Sequence, residues 1–155
     1  MKSFQKNMLG ATLLEIMLVL AVAALILLMS VKYYQTASAS KQANDGLSMI
    51  QAIQSMADNV AAASGSYVSG GLNSTNVQAM LPNSGIVPWS NASSDVVTVG
   101  TVDATSYVIN LPAVPANVCP LITSKLVGDS HYSNVTPCSV AAGTVSYTYT
   151  HTGGY

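Results

Sequence analysis

Glu15 is the residue that most needs a chemical explanation. It is the only charged side chain between Ala11 and Val31, a run of 21 residues that is otherwise apolar apart from Thr12 and Ser30. An ionisable group inside hydrocarbon costs a few kcal/mol, so a chain retains one there for a function and with a partner. Other residues with chemical potential are sparse. Cys119 and Cys138 can cross-link or hold a metal, but His131 and His151 show no ligand spacing to either cysteine. Neither histidine belongs to a legible motif with a Ser or Cys nucleophile and an orienting acid, so both read as solvent-facing polar residues. Asp95, Asp103 and Asp129 are too scattered to form a calcium loop. There is no internal repeat and no phosphate-binding glycine loop. No enzyme site is legible, and no cofactor or metal is expected.

The element that must carry Glu15 is the apolar run itself. At about 1.5 Å per residue it makes roughly 30 Å of helix, the thickness of a bilayer core. A cleaved secretory signal fits poorly, because its h-region is shorter. The A-x-A pattern Ala37-Ser38-Ala39 also lies beyond Lys32, Tyr33, Tyr34 and Gln35. A plain anchor explains the length, Lys2 and Lys6 before the run, and Lys32 with interfacial Tyr33 and Tyr34 after it. It leaves Glu15 unexplained. A buried core helix fits poorly, because the run is apolar on every face and too long for a domain of this size.

One arrangement joins these pieces. "GATLLEIMLVLAVAALILL" follows a 10-residue basic leader ending in Gly10 and places Glu15 fifth when Ala11 is counted as first. This resembles the class III signal of type IV pilins. The resemblance implies that a prepilin peptidase cuts between Gly10 and Ala11 on the cytoplasmic side and methylates the new amino group of Ala11. The helix stays attached, and Glu15 meets a positively charged N-terminus inside a filament. The implied fold is α+β, the pilin ladle, with a long N-terminal helix packed on a small antiparallel sheet head.

Composition agrees with an exported structural subunit. Charged residues are 7% of the chain, far below the usual quarter, and Ser, Thr, Ala, Gly and Asn take their place. Formal charge is -1, which becomes -3 for the side chains once Lys2 and Lys6 are removed. No basic patch for nucleic acid is present. The length of 155 residues suits one globular domain beyond the spanning helix.

The resemblance implies four segments: leader 1–10, membrane and filament-core half-helix 11–31, amphipathic half-helix 32–64, and a head of 65–155. Leu47, Ile50, Gln54, Ala57, Val60 and Ser64 form the stripe expected to dock on the head. Gly46 falls inside this pattern, either as a bend or without consequence. Met49 and Met56 lie off the stripe, where they face a neighbouring subunit or, as is commoner for methionine, fill space beneath the head. Gly65, Gly70 and Gly71 suit the end of the helix. A short helix is expected in "LNSTNVQAMLP", with Ser74 as N-cap and Pro82 as stop. "DVVTVGTVDATSYVINLP" alternates as a hairpin, "PANVCPLITSKLVG" is helical after Pro120, and "GTVSYTYTHT" places Val145, Tyr147 and Tyr149 on one face of a final strand. Trp89 reads as the anchor of its loop. The sequons at Asn73, Asn91 and Asn134 are of a kind frequent by chance in such a chain.

This order of elements is most similar to the type IVb branch of pilins. The motif resemblance covers residues 1–64, and the remainder is architectural. Lysines before the span favour a cytoplasmic N-terminus, which places Cys119 and Cys138 in an oxidising compartment, where an even count reads as a disulfide. Closing a loop of that length contributes roughly 3 kcal/mol in the chain-entropy model. In pilins such a bridge bounds the D-region, here 119–138. The resemblance implies Gly10 and Ala11 as processing residues and Glu15 as the assembly residue. The implied partners are further copies of the chain, the prepilin peptidase, the inner-membrane assembly machinery and, before assembly, the membrane. The location is the inner membrane and then the extracellular pilus of a bacterial surface. A minor pilin or type II secretion pseudopilin is the alternative within the class, the latter disfavoured by the cysteine pair and the lack of an acidic calcium loop. A membrane-anchored binding domain that never polymerises is the alternative outside it.

Overall fold

A computed structural model describes residues 13–139 and 141–152. The protein is α+β: a helix of 52 residues, α1 (Leu13–Ser64), precedes a four-stranded antiparallel sheet. The chain divides into two compact units, Met1–Ala37 and Ser38–Tyr155.

In the first unit every described residue is helical from Leu13 onward and exposed. Its Leu, Ala and Met content suits a helix. Two hydroxyls that would otherwise lack partners on an apolar surface bond back to the preceding turn, Ser30 Oγ to the Ile26 carbonyl (2.8 Å) and Thr36 Oγ1 to the Lys32 carbonyl (3.1 Å). An 18-residue window has a mean hydropathy of 2.7, long and apolar enough to cross a membrane.

The second unit begins inside the same helix. Ala39, Ala43, Gly46, Ile50, Ile53, Ala57 and Ala61 recur at steps of three and four and are buried, with Met49 beside them. This is not the expected stripe. Ile50 and Ala57 are shared, but Leu47, Gln54 and Val60 are only half-buried and Ser64 is exposed. The buried face consists mostly of Ala and Gly because small side chains let the helix backbone come close to what it packs on. Gly46 shows how close: a Cβ there would stand 2.7 Å from Trp89 Cζ3 and 3.3 Å from Ile122 Cδ1. Met49 and Met56 pack on the core, the filler role. The helix stops where Gly65 turns left-handed (φ 84°) and donates its N–H to the Ala61 carbonyl at 2.7 Å.

After it come α2 (Ser74–Met80), a tight turn at Pro82–Gly85, β1 (Thr98–Val102), β2 (Ser106–Val114), α3 (Cys119–Val127), β3 (Tyr132–Ser133) and β4 (Gly143–Thr150), with the sheet in the order β1-β2-β4-β3. The N-cap of α2 is Asn73, whose side chain accepts from the Asn76 N–H, and not Ser74. Ser74 Oγ is occupied elsewhere, on the backbone of Val99. The hairpin is present, with its turn closed by Asp103 N–H to the Ser106 carbonyl at 2.8 Å. Alternation decides the sheet's two faces. Tyr107, Ile109 and Leu111 of β2 and Val145, Tyr147 and Tyr149 of β4 are buried, while Ser106, Asn110, Ser146 and Thr148 point away from the core. α3 adds Cys119, Ile122 and Leu126 to that core.

Candidate functional site

Gly10 and Ala11 lie outside the described residues. Glu15 falls in the first described turn of α1, exposed and surrounded by exposed apolar side chains. All fourteen large apolar residues from Leu13 to Val31 are at least 49% exposed. Full burial of such a side chain is worth about 1.5–3 kcal/mol, so covering this segment would release on the order of tens of kcal/mol. A surface of that kind is made to be covered, by lipid or by other chains.

In the second unit the helix is tied to the sheet by a set of polar groups that periodicity does not reveal. Asp58 accepts from Tyr67 OH (2.5 Å) and Tyr149 OH (3.2 Å), and His151 Nδ1 lies 3.9 Å from it. One turn earlier, Gln54 Nε2 donates to Tyr149 OH (3.0 Å) and Gln54 Oε1 accepts from Tyr132 OH (2.8 Å). The rings pack edge-on or tilted, with Tyr67 and Tyr107 centred 4.9 Å apart and Tyr132 and Tyr147 5.4 Å apart. Amphipathic tyrosines thus add apolar volume to the core while the hydroxyls of Tyr67, Tyr132 and Tyr149 bond to Gln54 and Asp58, two half-buried polar residues of the helix.

Burial pushes the phenols of Tyr107 and Tyr147 well above their ordinary range, and burial, then Asp129 and Asp58, raises that of Tyr132. Their neutral forms therefore stabilise the folded state fully below about pH 10, the unfolded value, and progressively less above it. We expect the head to lose about 1.4 kcal/mol per pH unit above pH 10 for each tyrosine held protonated. In a chain with the exposed Tyr33 and Tyr34 replaced by Phe, tyrosinate absorbance should rise together with loss of near-ultraviolet circular dichroism. Ionisation of Tyr107 and Tyr147 in that chain well before unfolding would contradict buried, protonated phenols.

Cys119 and Cys138 form the disulfide, with Cα atoms 5.8 Å apart. Cys119 is buried at the start of α3, whereas Cys138 is exposed in the segment before β4, its Sγ 3.5 Å from Thr123 Oγ1. The bridge thus fixes an irregular stretch, 134–139, against a core helix. Cys138→Ser is expected to cost about 3 kcal/mol of head stability, measured by denaturant unfolding. The native wild-type chain should resist thiol labelling until reduced.

The remaining candidates are placed as follows. His131 is half-buried and bonded through Nδ1 to Asp129 Oδ1 (2.9 Å); this bond and its backbone N–H hold the exposed Asp129 carboxyl below its usual range. Asp95 accepts from Ser90 Oγ (2.6 Å), and Asp103 from Ser106 Oγ (3.3 Å). Trp89 is partly buried, and its Nε1–H donates to the Pro112 carbonyl (2.9 Å), the anchoring role. Among the described residues, no three of His, Cys, Asp and Glu are grouped to hold a metal. The chain matches no protein-family model, and comparison with curated proteins and with solved structures found no match.

Proposed function

We propose that the chain is a type IV prepilin whose mature form polymerises through the apolar part of α1, with the disulfide-bonded head on the outside. The observation that carries this reading is the helical segment from Leu13 to Val31, exposed on every face and interrupted by a single carboxylate at Glu15. A plain anchor requires the apolar length but has no use for the charge. A subunit that passes from bilayer to filament core uses both, with lipid covering the helix first and other helices covering it afterwards. The small-residue face of residues 39–61 and the Cys119–Cys138 bridge support the reading, because they hold a compact head on the second half of the helix. Prepilin peptidase would cut between Gly10 and Ala11, and the inner-membrane assembly machinery would extract the mature chain. No chemistry of catalysis is part of this role.

The cut is tested by the residue before it. A peptidase that requires glycine there should reject a β-branched side chain, so Gly10→Val should accumulate as an uncut, membrane-bound precursor with a normal head. Mass measurement of the N-terminal peptide distinguishes the two forms. A normally trimmed Gly10→Val chain, or a wild-type chain that keeps residues 1–10, would remove the processing step and leave a membrane-anchored domain.

A further inference from the structure

β1 is an edge strand, and its neighbourhood in sequence, Val96 to Val102, has high β-propensity with no charge and no proline. Such an edge is a template for pairing with another chain, and the usual protections are charged side chains, proline or a covering element. The strand itself carries neither charge nor proline; it is short, its register shifts between Val99 and Val102, and a covering element lies against it. Outward groups of Val97, just before the strand, and of Val99, within it, are taken. Val97 N–H donates to the Gly85 carbonyl (2.9 Å), and the Val97 carbonyl accepts from Gln78 Nε2 (2.7 Å). Val99 N–H donates to Ser74 Oγ (2.9 Å), and that hydroxyl donates in turn to the Val99 carbonyl (3.3 Å).

Ser74 and Gln78 are one turn apart on α2 and so share a face. The turn that follows is costly: Asn83, Ser84 and Gly85 are all left-handed (φ 53°, 55° and 77°), and two of them are not glycine. Non-glycine residues are held in that region only where the surroundings impose it. What the turn achieves is visible in the bond it makes, since it brings the Gly85 carbonyl onto Val97 N–H. Space there is tight, because a Cβ on Gly85 would lie 3.2 Å from Gln78 Cγ.

We infer that residues 74–85 are a plug on the edge of β1, in which Ser74, Gln78 and the Gly85 carbonyl take the place of a neighbouring strand and conceal a surface that would pair with β1 of a second copy of the chain. The occupant follows from the uncharged, valine-rich strand itself, which is its own best complement once two heads are close. In any crowded array of heads the plug would leave association to other surfaces. This inference does not depend on the chain forming filaments.

The test uses the full chain in detergent micelles, with wild type, Ser74→Ala/Gln78→Ala and Ser74→Thr compared by amide hydrogen exchange and sedimentation. Wild type and Ser74→Thr, which keeps the hydroxyl, should protect the Val99 amide equally at all protein concentrations. The double variant should exchange Val99 roughly tenfold faster when dilute, as expected for one lost hydrogen bond. It should recover protection as concentration rises, in step with dimerisation beyond that of wild type. A merely structural loss gives faster exchange at every concentration. That result, or an unchanged Val99 amide in the double variant, would overturn the plug. Should the double variant fail to fold, Ser74→Ala alone is read by the same concentration dependence, with the same two outcomes.

Discussion

Glu15→Ala is expected to be cleaved after Gly10 and to accumulate in the inner membrane, yet to yield few or no filaments. The reasoning is electrostatic. Cleavage would create an amine at Ala11, four positions before Glu15, so that pairing within one helix and pairing between neighbours are both geometrically available. In the bilayer the first turn reaches headgroup water. In a packed filament core that water is gone, and an unpaired charge costs several kcal/mol. Pairing between chains satisfies both groups and also sets axial register, because an incoming subunit is held until its carboxylate meets an N-terminus already docked. The alanine variant loses that attraction without losing its helix, which alanine favours. Wild-type filament numbers from cells expressing only Glu15→Ala would show that the carboxylate does not direct assembly.

The second large effect lies in the head. Gly46→Leu is expected to lower head stability by more than about 3 kcal/mol, and Gly46→Ala by about 1–2 kcal/mol. Helix propensity alone predicts the opposite for alanine, a gain of up to about 1 kcal/mol. Packing wins because the new Cβ would stand 2.7 Å from Trp89 Cζ3. The indole cannot swing aside cheaply, being tied through Nε1–H to the Pro112 carbonyl at 2.9 Å. Trp89 is the only tryptophan, so its fluorescence should shift to the red in both variants, and denaturant unfolding gives the loss. A Gly46→Ala head more stable than wild type would show that Trp89 does not press on the helix.

Gly46 also illustrates why parts of the fold were legible in the sequence and others were not. Long regular signals were read well: the apolar run, the hairpin alternation, the final strand with Tyr147 and Tyr149 inward, and the paired cysteines. The docking face of α1 was misplaced because hydrophobic periodicity weights large residues such as Leu47 and Val60. The face that is buried has Met49, Ile50 and Ile53 at its middle, but the rest of it is Ala39, Ala43, Gly46, Ala57 and Ala61, which carry little hydrophobic signal. The polar ties of Gln54 and Asp58 were hidden for a different reason. Their partners Tyr132 and Tyr149 lie 78 and 91 residues away, and nothing local marks the pairs. Ser74 read as a cap because serine before a short helix usually is one. Its actual partner, Val99, is 25 residues on, and Asn73 does the capping. The two-residue β3 is too short to leave any periodicity.

The central claim is that this chain is trimmed after Gly10 and then polymerises through its apolar helix. Surface filaments sheared from cells expressing the chain, imaged by electron microscopy and then dissociated for intact-mass measurement, test it most directly. The predicted result is filaments whose subunit begins at a methylated Ala11 and contains the Cys119–Cys138 disulfide. Absence of the chain from any filament, with a full-length form retaining residues 1–10 in the membrane, would contradict it.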